Sequence, residues 1–173
     1  MLADERMVKS KLTIHVLMVC LGNICRSPTA HGVVEKHIHD RGLSEYIKVD
    51  SAGTGDWHIG EPPDSRSLEA AARRGYDLSR QRARQVEVND FHRFDYVLAM
   101  DTANLQDLKR LCPAEFQPNL SLFLNFGSQH YESVPDPYYS GAQGFELVLD
   151  LVEEASSNLL DDIIKQHELP ADH

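Results

Sequence analysis

Cysteine is scarce, with 3 in a chain of 173 residues. So small and odd a number excludes a disulfide framework and suits a reducing, cytoplasmic compartment. No apolar run approaches the roughly 18 residues that a membrane-spanning helix requires, so membrane insertion is not expected. The charged stretch Met1 to Lys11 is not followed by an apolar segment with a small-residue cleavage site, so no secretion signal is expected. Positive charge is in deficit: 17 Lys and Arg against 27 Asp and Glu give a net charge of −10. A general nucleic-acid or anionic-membrane binder would need basic surface, and the balance argues against both, though not against a local anion site. Internal repeats and low-complexity segments are absent. What is present is ordinary: 42% hydrophobic and 25% charged residues, enough for one well-formed core. We read the whole chain, 1–173, as one domain.

Short apolar runs alternate with helix-like stretches. Leu12 to Val19 (LTIHVLMV) has the composition of a buried central strand. A helix follows from Ser27-Pro28 to about His39 and ends at Asp40-Arg41-Gly42; Pro28 suits a first turn, where its missing N–H has no partner to lose. Tyr46 to Asp50, Asp95 to Met100 and Asn119 to Phe126 read as further strands. Helices are expected from Pro63-Asp64 to near Gly75, from Asp101 to Leu111, and from Phe145 to Ile164, where Phe145, Val148, Leu149, Val152, Leu159 and Ile163 follow a helical period. This alternation implies an α/β fold, a four-stranded parallel twisted sheet with helices on both faces. Thr54 to Pro63 and Gly127 to Gly144, rich in Gly, Pro and polar residues, read as the mobile loops.

Between the first strand and first helix lies Cys20-Leu21-Gly22-Asn23-Ile24-Cys25-Arg26-Ser27-Pro28. In open α/β sheets ligands bind beyond the carboxyl ends of strands. A loop entering a helix N-terminus aims several backbone N–H groups at one point and makes an anion cradle. Gly22 and Asn23 both tolerate the positive φ that such a loop can require. Arg26 can grip two oxygens of a phosphate-like group. A thiolate at Cys20, facing that group, would be a nucleophile aimed at phosphorus. The alternative for Cys20 alone is a buried structural thiol; the whole string, placed between strand and helix, favours chemistry.

This string resembles the phosphate loop of the low-molecular-weight protein tyrosine phosphatases. Three further segments resemble the same family in order: Asp50 to Trp57 (DSAGTGDW) its substrate-wall loop, Tyr96 to Asp101 (YVLAMD) its third strand and following aspartate, and Asp136-Pro137-Tyr138-Tyr139 its general-acid loop. The likeness spans about residues 12–165. It implies Cys20 as the nucleophile of a phosphocysteine intermediate, Arg26 as the clamp on the phosphoryl oxygens, and Asp136 as general acid and then base. Residues Leu21, Gly22, Asn23, Ile24, Cys25 and Ser27 would line the phosphate site, with the Ser27 hydroxyl supporting the sulfur. Ser51 and Asp101 would brace the loop, although Asp101 would cap its helix in any case. Trp57, Tyr138, Tyr139 and Ile24 would form an aryl slot too deep for phosphoserine. The family's bracing histidine has no counterpart between Leu78 and Arg84. The implied partners are phosphotyrosyl proteins or peptides, with phosphate or vanadate as inhibitors. No cofactor is implied, and the family is mostly monomeric with weak self-association.

Other readings fare worse. Thioredoxin-coupled arsenate reductases need resolving cysteines near Leu78 to Asn89, and none is there. Protein-arginine phosphatases carry threonine where this chain has Ile24, which favours an aryl ester. A binding module without turnover needs neither Cys20 nor Asp136. Cys25 is either a redox partner of Cys20 or packing beneath the loop. The 9 histidines form no recognisable metal motif. Arg73, Arg74, Arg80, Arg82 and Arg84 either guide acidic phosphopeptides or are solvated. The acidic residues of the last helix, Glu146, Asp150, Glu153, Glu154, Asp161 and Asp162, read as a solvated face with little basic offset. About 1–11 and 166–173 are expected to be flexible termini.

Overall fold

The computed structural model describes residues 13–128, 131–137 and 141–170. Four strands form one sheet in the order β2-β1-β3-β4, where β1 is Ile14–Cys20, β2 Ile47–Gly53, β3 Tyr96–Ala99 and β4 Leu120–Leu122. Every neighbouring pair is parallel. The helices are α1 (Arg26–Asp40), α2 (Ser65–Arg73), α3 (Val88–Arg93), α4 (Thr102–Leu111) and α5 (Gly141–His167).

β1 sits at the centre because it is apolar on both faces. Val16, Met18 and Cys20 point into one core with Val33 and Val34 of α1 and Val148, Val152 and Leu159 of α5. Leu17 and Val19 point the other way, onto Phe91 of α3, Val97 and Ala99 of β3, and Leu108 of α4. Burying each such aliphatic side chain contributes about 1.5–3 kcal/mol, so a polar residue at any of these positions would be costly.

The strand order puts the exits of β1 and β3 at a topological switch point. The chain leaves β1 through α1 towards β2, then crosses back to β3 on the other side of β1. The crevice between the carboxyl ends of these two strands is where ligands bind in such sheets.

Several boundaries differ from the sequence reading. The fourth strand covers only Leu120–Leu122; Phe123–Phe126 is a 3₁₀ turn. β4 is an edge strand paired only with Val97, Leu98 and Ala99, and beyond it Phe123 turns fully into the core. α3 was not anticipated, because six residues cannot display a helical period; its signal is a capping box, with the Glu87 N–H donating to Asp90 Oδ2 at 2.8 Å. α5 begins at Gly141, four residues before the apolar pattern, so residues 141–144 belong to a helix rather than to a loop. It ends at His167, whose ring pairs with the Tyr96 hydroxyl at 3.1 Å, so the expected flexible tail does not begin at 166. Thr54 to Pro63 is tied to its neighbour by two backbone bonds, Gly60 N–H to Ala83 O and Ala83 N–H to Glu61 O, each 2.8 Å.

The acidic face of α5 is also not simply solvated. Arg74 reaches across from the end of α2 to Glu146, Asp150 and Glu153 at 2.9, 2.9 and 2.6 Å. Arg41 pairs with Asp161 at 2.7 Å. Of the basic cluster, Arg73 and Arg74 are committed to α5, and Arg84 to Asp50 and Asp90. Little of it is left as a basic surface for guiding peptides.

Candidate active site

β1 ends at Cys20, directly opposite Gly53 of β2. The loop that follows is held from the β2 side: Thr54 N–H donates to Cys20 O and Gly55 N–H to Leu21 O, both at 2.9 Å. A side chain at position 53 would not fit, because its Cβ would lie 2.7 Å from Leu21 O. Glycine at the end of β2 therefore lets two backbones touch beneath the loop.

Asn23 is the loop residue with positive φ, at 57°. Gly22, read as a second such position, does not adopt it; its lack of a side chain instead admits the His58 ring, which a Cβ there would meet at 3.0 Å. The Asn23 side chain is engaged at both ends, accepting from Arg84 N–H at 3.0 Å and donating to Ser27 Oγ at 2.8 Å. Ser27 Oγ lies 3.0 Å from Cys20 Sγ, and the Asn23 N–H donates to the same sulfur at 3.2 Å. Ser27 Oγ accepts from Asn23 and has one hydrogen to give, for which the sulfur at 3.0 Å is a nearer acceptor than Ala52 O at 3.5 Å. A thiolate here has two donors in place, one from the loop backbone and one from the first turn of α1.

Arg26 begins α1 and is 6% exposed. Its Nη1 donates to Asp101 Oδ2 at 2.7 Å and to Val134 O at 3.1 Å. Asp101 serves both roles weighed for it, since Oδ1 caps α4 by accepting from Asn104 N–H at 2.7 Å while Oδ2 seats Arg26. Val134 is pinned a second time, its N–H donating to Met100 O at 2.7 Å. One guanidinium thus ties the loop, the end of β3 and the segment 131–137, and that segment carries Asp136.

These elements enclose a cavity of about 280 Å³ lined by Cys20, Leu21, Gly22, Ile24, Cys25, Arg26, Trp57, His58 and Asp136. Trp57 is 68% exposed, so its indole is not part of the core. Its ring packs against Gly55, where a Cβ would come within 2.1 Å of it. Ile24 is part-buried and packs on the core while facing the cavity. Burial pushes the Cys25 thiol up to about 12, so at neutral pH it remains a thiol beside the site. Tyr138 and Tyr139 lie outside the described residues. Among the described residues no group of three or more His, Cys, Asp or Glu is placed to hold a metal ion.

Ser51 of β2 meets the stretch that lacks a histidine, and that stretch supplies other donors. Gln81 Nε2 donates to Pro28 O at 3.0 Å and Gln81 Oε1 accepts from Ser51 Oγ at 3.4 Å, while Arg84 acts through its backbone on Asn23. Four contributors escaped the sequence reading: His58, Gln81, Arg84 and Val134. His58 follows Trp57 directly and could have been found from that. Val134 could not, because an apolar residue acting through its backbone leaves no trace in residue type.

The model of the low molecular weight phosphotyrosine protein phosphatase family matches residues 15–169. A low molecular weight protein-tyrosine-phosphatase of Streptomyces coelicolor is 42% identical over 161 residues, covering 91% of this chain and 98% of its own. The crystal structure of a protein tyrosine phosphatase from Entamoeba histolytica with Hepes in the active site superposes with a TM-score of 0.86 and 39% identity, covering 88% of this chain and 98% of that one. YfkJ from Bacillus subtilis superposes with a TM-score of 0.83 and 40% identity, covering 89% and 96%. With the strand-loop-helix around Cys20 and the seated Arg26 already placed, these likenesses join one conclusion: the chain belongs to the low molecular weight phosphotyrosine protein phosphatase family.

Proposed function

We propose that the chain is a protein tyrosine phosphatase that hydrolyses phosphotyrosine and small aryl phosphates through a phosphocysteine intermediate. One observation carries this reading: Cys20 and Arg26 of the loop, Trp57 after β2 and Asp136 after β4, from three separate segments, line a single cavity. The phosphate sits over the loop amides of Leu21 to Ser27, near the N-terminus of α1. Arg26 uses both Nη1 hydrogens on Asp101 and Val134. Nε and Nη2 remain to present a bidentate edge to two phosphoryl oxygens, where charge is spread in the transition state.

The Cys20 thiolate attacks phosphorus and the aryl oxygen leaves, taking a proton from the Asp136 carboxyl. Asp136, now a carboxylate, accepts a proton from the water that attacks the phosphocysteine, which releases phosphate and returns the thiolate. Asn23 N–H and Ser27 stabilise the sulfur as it leaves. Trp57 and Ile24, with Tyr138 and Tyr139, hold the ring of the substrate. The loop depth selects phosphotyrosine, because a phosphoserine side chain is too short to reach the sulfur.

The test compares phosphate release from a phosphotyrosine peptide and a phosphoarginine peptide at mildly acidic pH. Release from phosphotyrosine is expected to dominate; release chiefly from phosphoarginine would overturn the reading of Ile24. No helix among the described residues is long and apolar enough to cross a membrane. A cytoplasmic, mainly monomeric enzyme fits this chain, and three free thiols support the compartment.

Cys25 completes the proposal as a redox partner. Peroxide would convert the Cys20 thiolate to a sulfenic acid, which the Cys25 sulfur attacks to form a disulfide and release water. Cys20 and Cys25 both line one cavity, which supports the pairing. Thiols should restore peroxide-treated wild type but not Cys25→Ser; inactivation that thiols cannot reverse in wild type would remove this role.

A further inference from the structure

We propose that His58 is a specificity-determining residue for polypeptide substrates: its ring, oriented by Glu61, holds the substrate main chain beside the phosphotyrosine through Nε2. The inference deepens the phosphatase reading above and rests on it. His58 follows Trp57 on the loop after β2 and lines the catalytic cavity with it. Residues 58–61 form a turn that is clasped twice. Glu61 N–H donates to His58 O at 2.9 Å, and His58 Nδ1 lies 2.8 Å from Glu61 Oε2. The same turn is fixed to residue 83 by the two backbone bonds of Gly60 N–H to Ala83 O and Ala83 N–H to Glu61 O. The imidazole is therefore held in place, although its side chain is 36% exposed.

A carboxylate only accepts, so Glu61 takes the hydrogen on His58 Nδ1 and leaves Nε2 as the polar atom of the opposite edge. That edge faces the phosphate loop: a Cβ built on Gly22 would lie 3.0 Å from His58 Cδ2 and 3.7 Å from Nε2. The phosphate belongs at the centre of the loop, and the aryl ring belongs between Trp57 and Ile24. Beyond the ring of a phosphotyrosyl protein come the Cα and its two peptide groups, whereas phenyl phosphate ends at the ring. His58 stands next to a Trp57 that is 68% exposed, at the mouth those peptide groups must cross. A peptide group offers an N–H and a C=O together, so Nε2 finds a partner there whether it accepts or donates. The contact therefore needs no particular charge on the ring and no particular side chain in the substrate. It favours a polypeptide over a small aryl ester.

The experiment measures kcat/KM on phenyl phosphate and on two phosphotyrosine peptides, one flanked by alanines and one by acidic residues. Wild type, His58→Ala, Glu61→Ala and Glu61→Gln are compared by the ratio of peptide to phenyl phosphate, because general damage to the loop lowers both substrates alike and cancels. His58→Ala should lower the ratio about three- to tenfold on both peptides, the worth of one hydrogen bond, and mainly by raising the peptide KM. Glu61→Ala, which frees the ring, should lower it in the same direction by a smaller factor. Glu61→Gln, whose side-chain carbonyl accepts from Nδ1 as the carboxylate does, should keep the wild-type ratio within about twofold. An unmoved ratio in His58→Ala would overturn the proposal. A fall confined to the acidic peptide would overturn it too, since the ring would then meet a side chain and not the main chain. A wild-type protein without turnover of any of the three substrates would instead overturn the phosphatase reading.

Discussion

Changing Cys20 to Ser is expected to abolish phosphate release, by on the order of 10⁵-fold, while the loop still binds inorganic phosphate. The two halves of this expectation have separate physical origins. Turnover needs a polarisable anion able to bond to phosphorus, and a serine hydroxyl at the same place has no general base within the described contacts to make it one. Binding instead depends on groups the substitution leaves in place: the loop amides, the Arg26 guanidinium seated on Asp101 at 2.7 Å, and the α1 N-terminus. The lone tryptophan offers the readout, since Trp57 lines the cavity and its fluorescence should respond to phosphate in wild type and variant alike. Turnover within tenfold of wild type would remove Cys20 from the nucleophile role. Loss of phosphate binding along with turnover would show that the loop itself had collapsed.

Asp136→Ala should slow phenyl phosphate on the order of 10²- to 10³-fold in a single turnover, and a nitrophenyl ester far less. Phenoxide is a poor leaving group unless protonated as it departs, whereas nitrophenoxide leaves well as the anion. The variant should also accumulate phosphocysteine from the nitrophenyl ester, because the second step then lacks its base. Equal losses on both esters, with no trapped intermediate, would take Asp136 out of proton transfer. Its placement depends on Val134, held by Met100 on one side and Arg26 on the other. The segment that carries Asp136 is thus held by the same guanidinium that is proposed to bind the phosphate.

Much of this site is legible from residues alone, for a physical reason. A phosphate loop is local: its nucleophile, backbone donors and arginine fall within Cys20 to Ser27, and a strand before and a helix after supply the orientation. The apolar run through β1 likewise announces a strand buried on both faces, and the periodic apolar residues of α5 announce the helix that covers one of them. The limits of that reading are local too. Short α3 has no period to detect, and Asn119 to Phe126 stays apolar past the point where β4 runs out of a partner.

Other assignments could not be made without tertiary structure. Asp101 reads as a helix cap or a brace, and only the fold shows that its two oxygens do both. The α5 carboxylates read as solvated because their counterions, Arg41 and Arg74, lie far away in sequence. Val134, Gln81 and Arg84 support the site through a carbonyl, a side-chain amide and a backbone N–H, groups that almost any sequence can supply. The order of residues along the chain therefore settled the loop chemistry and the strand-helix alternation, which depend on neighbours. Only folding decided which distant groups seat the arginine, neutralise α5 and hold the first turn of α1, because those energies depend on distances in space that composition and spacing do not encode.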